Sequence, residues 1–307
     1  MRQQVLVPPM VITPSRRRRR FMTPYLFVAP SLVLTLIVML YPLAYSLGVS
    51  FTGYSLSRPG EAPLVGLANY LWAITNPSFA LSIWNTIVYT VGSVTLEFLL
   101  GLGFALLLNT EFPGQGIVRT ILMLPLFLTP SIVSLVFLFM YYPGEGVLPW
   151  LASFFGVPKA FPFLGDPRTA MLSLIVVDVW RTTPFMFLVL LAGLQSLPHE
   201  VMEAAAIDGA SAWQTLRHVT LPLLSPLILV ALTIRGMDAF REFDTIYLLT
   251  AGGPGQATEV ISMLAYNAAF RYFDLGRASA IAYIILVLVL AFSFFFVKKL
   301  RDMQVSG

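Results

Sequence analysis

From Phe21 to Ser57 the chain carries no charged residue. A helix needs about 20 mostly apolar residues to cross a bilayer. In hydrocarbon, backbone N–H and C=O groups must be satisfied within the segment, so such a run reads as a spanning helix. It is placed at 24–51, punctuated by Pro24, Pro30 and Pro42. The run also exceeds the apolar core of a cleaved secretory signal, about 7–15 residues.

Five further runs follow: 81–108 with Glu97, 118–142, 169–194 with Asp178 and Arg181, 221–249 with several charges, and 278–297 with none. Length alone allows two soluble domains of ~150 residues each. Composition overrules that, with 57% hydrophobic and 11% charged residues and a mean hydropathy of +0.81. Soluble domains carry about 25% charged residues. The expected fold is an all-α integral membrane protein with six transmembrane helices in one domain, 24–297, between basic tails at 1–23 and 298–307.

Lysine and arginine collect on the cytoplasmic side of membrane proteins. Arg16–Arg20 precede the first run, and Lys298, Lys299 and Arg301 follow the last. Six spans put both clusters on one side, so both termini and the loops 109–119 and 195–220 are expected in the cytoplasm. The opposite loops hold scattered charges that nearly balance, such as Arg58 with Glu61 and Arg277 with Asp274. The arginine run reads as an anchor to anionic headgroups in the lipid bilayer, with no nucleic-acid partner expected.

Much chemistry is missing. No GxxxxGK[ST] phosphate cradle occurs, because Lys159, Lys298 and Lys299 are the only lysines and none follows a glycine. His199-Glu200 opens a metalloprotease-like helix, but the residue four after His199 is Glu203. There is no GxSxG elbow and no cysteine, hence no disulfide or thiolate metal site. The chain is expected to be no enzyme, with neither a catalytic nor a metal residue.

One stretch breaks the apolar rhythm: EAAAIDGASAWQTLRHVTLP, Glu203 to Pro222, in the loop 198–222. Glutamate and alanine favour a helix over 200–207, and Glu200 and Glu203 suit its N-terminal dipole. Asp208-Gly209 breaks it, since glycine tolerates the left-handed backbone of a tight turn. A second helix is expected from Ser211 to about Val219, with Trp213, Leu216 and Val219 on one face and re-entry at Pro222 and Pro226. An amphipathic loop lying on the membrane is equally compatible with these residues.

The stretch resembles the EAA loop of permease subunits in bacterial ABC importers. The resemblance rests on Glu203-Ala204-Ala205, Asp208-Gly209-Ala210, Leu216, Val219 and Leu221-Pro222. It extends through Val65-Gly66-Leu67-Ala68-Asn69-Tyr70, Asn85-Thr86, 191–195 and Gly252-Gly253-Pro254-Gly255 to the carbohydrate branch, the maltose-, trehalose- and glycerol-phosphate-type permeases. No large extracytoplasmic insertion is present, unlike the enteric maltose permease. The resemblance implies a place in the bacterial inner membrane, a second permease subunit, an ATPase dimer that alone binds ATP, and an extracytoplasmic sugar-binding protein. It implies that the EAA loop is a cytoplasmic helix–turn–helix that docks on the ATPase, with Glu203 in polar contact and Gly209 making the bend.

The charges inside the spans leave two readings open. Helical periodicity puts Arg235, Asp238 and Glu242 on one stripe and Arg241 and Asp244 elsewhere. As internal ion pairs, Glu97 joins Arg181 or Arg235, and Asp178 another arginine. As a sugar path, Asp178, Arg181, Arg235, Asp238, Arg241 and Glu242 bond hydroxyls while Phe240, Phe243, Tyr247 or Trp180 stacks on a ring. An ion-coupled secondary transporter also uses buried carboxylates, but needs no docking loop. The stretch Asp238-Ala239-Phe240-Arg241-Glu242-Phe243-Asp244 resembles the trehalose- and maltose-type permeases more than the glycerol-phosphate ones, which implies a di- or oligosaccharide substrate; a phosphate would favour a net basic wall, whereas acids and bases here roughly balance. Pro184 is expected to kink its span, Gly101 and Gly103 to allow close helix packing, and 252–255 to form an outer turn.

Overall fold

The structure is a computed structural model that describes residues 14–58 and 60–305. Thirteen helices appear among them: α1 (Pro14–Ser50), α2 (Ala68–Thr75), α3 (Pro77–Leu107), α4 (Gln115–Met123), α5 (Pro130–Met140), α6 (Val147–Ser153), α7 (Ala170–Gln195), α8 (His199–Ile207), α9 (Ala212–Thr215), α10 (Leu221–Phe240), α11 (Asp244–Leu249), α12 (Ile261–Tyr266) and α13 (Leu275–Val305). Among the described residues two isolated bridges, Thr52 with Leu64 and Ser55 with Asp274, are the only β pairing.

Residues up to Val49 form one compact unit and those from Ser50 a second. Within the first, α1 starts ahead of the expected Pro24, and 27–50 are apolar enough to span. Its hydroxyls turn inward along the helix: Ser31 donates to the Val28 carbonyl and Thr35 to that of Ser31. Such local bonds satisfy a hydroxyl in an apolar setting. Of the basic tail at 1–23, residues 1–13 lie outside the described residues and the rest is helical. The 298–307 tail is no separate segment as far as Val305, because α13 runs straight through Lys298, Lys299 and Arg301.

In the second unit α3, α7, α10 and α13 are long and apolar enough to cross a membrane, with α9 leading into α10. The expected third span is different: 115–127 and 130–140 meet at a bend of 99°. Proline explains the break. Pro125 opens a 3-10 turn over 124–127 and Pro130 starts α5, so each removes a backbone donor where a continuous helix needs one. Taking the bent pair as one span gives six. The expected fifth span also stops early, at Phe240, and resumes as α11 after a three-residue turn.

α7 is the axis of the unit: 67% of its apolar window is buried, against 11% for α13. Pro184 lies inside α7, which is assigned as one helix on both sides of it. Small residues set the crossings, as expected where lipid removes any hydrophobic drive for association. A Cβ on Gly101 of α3 falls 2.6 Å from Met186 Cβ and 2.9 Å from the Phe187 nitrogen on α7. One on Gly236 of α10 falls 2.6 Å from the Phe292 ring of α13. Gly103, expected to share this role, has nothing within 4 Å.

The family-like motifs act as staples at one end. Asn69 donates to the carbonyls of Ser50 and Thr52, and Asn85 to those of Gln256 and Glu259. Thr86 accepts from the Ile261 amide, so α3 holds the loop 250–260, which turns at Gly252 and Gly255.

Gly101 and Gly103 therefore separate packing from propensity. Gly101→Ala should cost about 1–3 kcal/mol of overpacking, and Gly103→Ala should be neutral or stabilising by a few tenths. Thermal unfolding of the two purified variants in detergent checks this.

Candidate functional site

Two constellations stand out, one inside the spans and one beyond their ends. Inside, Glu97 on α3 is fully buried, as is Asp178 on α7. Arg235 on α10 lies between them. Its Nε donates to Glu97 Oε2 at 2.6 Å, and its Nη2 to Glu97 Oε1 at 2.7 Å and Asp178 Oδ2 at 2.8 Å. The two-pronged contact with Glu97 uses the fork geometry that makes guanidinium–carboxylate pairs strong. Thr182 completes the pair, its hydroxyl lying 2.6 Å from both Glu97 Oε1 and the Asp178 carbonyl oxygen, with one proton to share between them.

From there the chain of charges reaches an opening. Arg181 donates to Asp178 at 2.9 Å and meets Glu242 at 3.4 Å, while the Thr245 amide donates to Glu242. Asp238 and Arg241 pair at 2.6 Å with side chains 44% and 66% exposed. Asp238, on the expected stripe with Arg235 and Glu242, pairs with Arg241. The stripe reading is corrected at its end. Arg241 and Asp244 are not on a separate face, because α10 ends at Phe240 and the turn over 241–243 swings both round beside Asp238 and Glu242.

The opening is a pocket of about 380 Å³. Arg181, Arg235, Asp238, Arg241, Glu242 and Asp244 supply its polar wall; Phe185 and Phe243 are among its apolar lining residues. Four other path candidates lie outside that lining. Asp178 is committed behind Arg235 and Arg181. Phe240 packs against an apolar cluster around Ile261 and Ile281. Tyr247 stacks on Phe243 at 5.2 Å instead of facing the pocket. Trp180 lines a different, apolar cavity of about 730 Å³ between α3, α4 and α7, and packs on Phe137. Leu126, Thr182, Phe185 and Asp244 were not among the expected path residues. Thr182 and Phe185 lie one turn or less from Arg181, a spacing that flags them once Arg181 is known to face a cavity.

The second constellation is α8, its turn and α9. The turn is locally encoded. Gly209 has φ +74°, its amide donates to the Ala206 carbonyl, and the Ala210 amide donates to that of Ala205. That double bond pattern with a left-handed glycine is the Schellman helix stop. Ser211 then opens α9 through a reciprocal capping box with Gln214. The second helix does not end near Val219: it passes through a wide turn over 216–220 into α10, with Leu221 and Pro222 in its first turn. Ala205 is buried, while Glu203, Ala204 and Asp208 are exposed. Ile207 is 85% and Trp213 66% exposed, while Leu216 and Val219, expected on one face with Trp213, are half-buried.

An uncompensated buried carboxylate is far costlier than an exposed one. Arg235→Leu, which strips Glu97 and half of Asp178's partners, should destabilise the protein by about 3–5 kcal/mol. Arg241→Leu, at an exposed pair, should cost under about 1 kcal/mol. Detergent thermal shift of both variants measures the gap.

Residues 97–306 match the family model described as binding-protein-dependent transport system inner membrane component. The chain is similar to the trehalose/maltose transport system permease protein of Thermococcus litoralis, 42% identical over 89% of this chain and 92% of that one. It is 37% identical to the trehalose transport system permease protein of Mycobacterium tuberculosis, over 89% and 87%. Among solved structures it resembles a chain of a bacterial alginate ABC transporter in complex with an alginate pentasaccharide-bound periplasmic protein. That match has TM-score 0.78 and 25% identity over 92% and 94%.

Proposed function

The chain belongs to the binding-protein-dependent transport system inner membrane components, and we propose that it forms half of the translocation path of an ATP-driven di- or oligosaccharide importer. As a multi-pass sugar ABC transporter permease it is not itself an enzyme. Family membership also removes the ion-coupled secondary transporter from consideration.

The pocket beside the ion network carries the substrate reading. Its size falls in the range of small-ligand sites, about 300–1,000 Å³. Its wall offers carboxylates and guanidiniums to hydroxyls and Phe185 and Phe243 to ring faces. Three acids against three bases favour a neutral ligand over a phosphate, and the trehalose and maltose named for the relatives are neutral disaccharides. Arg181, Arg235, Asp238, Arg241 and Glu242 are the proposed path residues. A glycerol-phosphate-type substrate is the second reading, favoured by the three guanidiniums alone.

The coupling reading rests on α8–α9. Glu203, Ala204, Ala205, Asp208, Gly209, Ala210, Leu221 and Pro222 form the proposed ATPase-coupling element. In this reading both termini and this element are cytoplasmic, and one of two ATPase subunits seats α8. A second permease subunit completes the pore, and an extracytoplasmic binding protein delivers the sugar. A stiff element transmits a rigid-body displacement; the Schellman stop and capping box stiffen this one.

Two outcomes are expected. In uptake assays with the complete transporter, trehalose or maltose should be imported and glycerol phosphate ignored; the reverse result contradicts the substrate assignment. Glu203→Lys and Gly209→Val should insert normally yet lose the ATPase on co-purification and abolish uptake. Normal uptake by either variant contradicts the docking assignment.

A further inference from the structure

We propose that the short helix α6 is an interfacial anchor, lying in the headgroup boundary of the bilayer at the end of the molecule opposite the α8–α9 element. The placement follows from the chain path. α6 sits in the connection between the end of α5 at Met140 and the start of α7 at Ala170, and α7 ends at Gln195 just ahead of α8. The level is therefore that of the span ends.

Its outward stripe is apolar without interruption. Val147, Trp150, Leu151 and Phe154 recur at i, i+3, i+4 and i+7, one face of a helix, and all are exposed. Phe155 extends the patch at 89% exposure, and Tyr142 joins it on the preceding turn. The opposite side is already used: Pro149 is buried, and Leu148 packs against the cluster that holds Val133 and Tyr141. Trp150 and Phe154 pack edge to face with ring centroids 4.8 Å apart.

The stripe is presented by a folded loop. The Gly144 amide donates to the Lys159 carbonyl at 2.8 Å, closing the loop at its base. Gly146 caps α6 where a Cβ meets the backbone of Met140 and Tyr142. Phe161, Phe163 and Tyr141 form an edge-linked row beneath it, and Thr169 donates to the Phe163 carbonyl.

The chemistry selects lipid. Tryptophan and tyrosine gather at the membrane–water boundary, where one part of the ring system is dry and the polar tip wet. A protein-docking patch carries a polar rim, whereas this stripe has no polar side chain along its length. Two charged residues flank α6 in sequence, Glu145 just before its cap and Lys159 beyond its end, and both are exposed. Lys159 there suits a side chain that keeps its ammonium at the headgroups while its stem lies on apolar surface. Interfacial helices bury their apolar face about 5–10 Å into this boundary.

The chain has no cysteine, so a single nitroxide reads depth directly. Phe154→Cys and Phe155→Cys are spin-labelled in the complete transporter, with cysteine-free partner subunits, in lipid nanodiscs. Oxygen, which partitions into lipid, should collide with either label several-fold more often than a water-soluble nickel chelate does. A label at Trp84→Cys, on the exposed face of α3, should give the same ratio, and one at Glu61→Cys the opposite. Chelate-dominated collisions at both α6 positions overturn the proposal in favour of a water-facing loop. Low collisions with both reagents overturn it in favour of a protein partner covering the stripe. Phe155 makes the outermost contact, so its label leaves the packing of α6 unchanged even where Phe154→Cys unfolds.

Discussion

Arg235 is the constraint on which the second unit depends. A guanidinium within a span is tolerated only with partners, and its partners come from two other spans, Glu97 of α3 and Asp178 of α7. The ion pairs thus fix the level at which α3, α7 and α10 meet. The glycine contacts of α3 on α7 and of α10 on α13 then set how closely the helices approach.

The same two spans flank the α8–α9 element. α7 enters it from one side and α10 leaves it on the other. α7 carries Asp178 and Arg181; α10 carries Arg235 and Asp238, with Glu242 just past its end. The proposed coupling thus has a route to the pocket, through helices already joined by charge. The Arg181–Glu242 contact, at 3.4 Å the longest of the network, borders the pocket, while the Glu97–Arg235 pair lies behind it at 2.6 Å. The network is graded by depth: Glu97 and Asp178 are fully buried, Arg235 is nearly so and also lines the pocket, and the part-buried Arg181 and Glu242 face the cavity.

Much of this was legible in the residues. Long apolar runs marked the spans, because hydrocarbon admits no other solution for the backbone. Asp208-Gly209 gave the helix stop, since a left-handed residue at that point is a local requirement. Of the two partners the ion-pair reading allowed for Glu97, Arg181 or Arg235, the structure takes Arg235, 138 positions away. What escaped depended on tertiary placement. Pro125 and Pro130 together fold the third run by 99°, which neither dictates alone. The end of α10 at Phe240 is set by no proline or glycine, so periodicity carried on past it and assigned Arg241 and Asp244 to wrong faces. Gly101 and Gly103 look alike in sequence; only the position of Met186 and Phe187 distinguishes them.

The most direct measurement is an electron cryo-microscopy map of the complete transporter with its ATPase subunits, binding protein and trehalose. The account predicts ATPase density in contact with Glu203 to Gly209. It also predicts sugar density bordered by Arg181, Asp238 and Glu242, with Arg235 still bridging Glu97 and Asp178. ATPase density away from α8, or sugar density displacing Arg235 from those carboxylates, contradicts it.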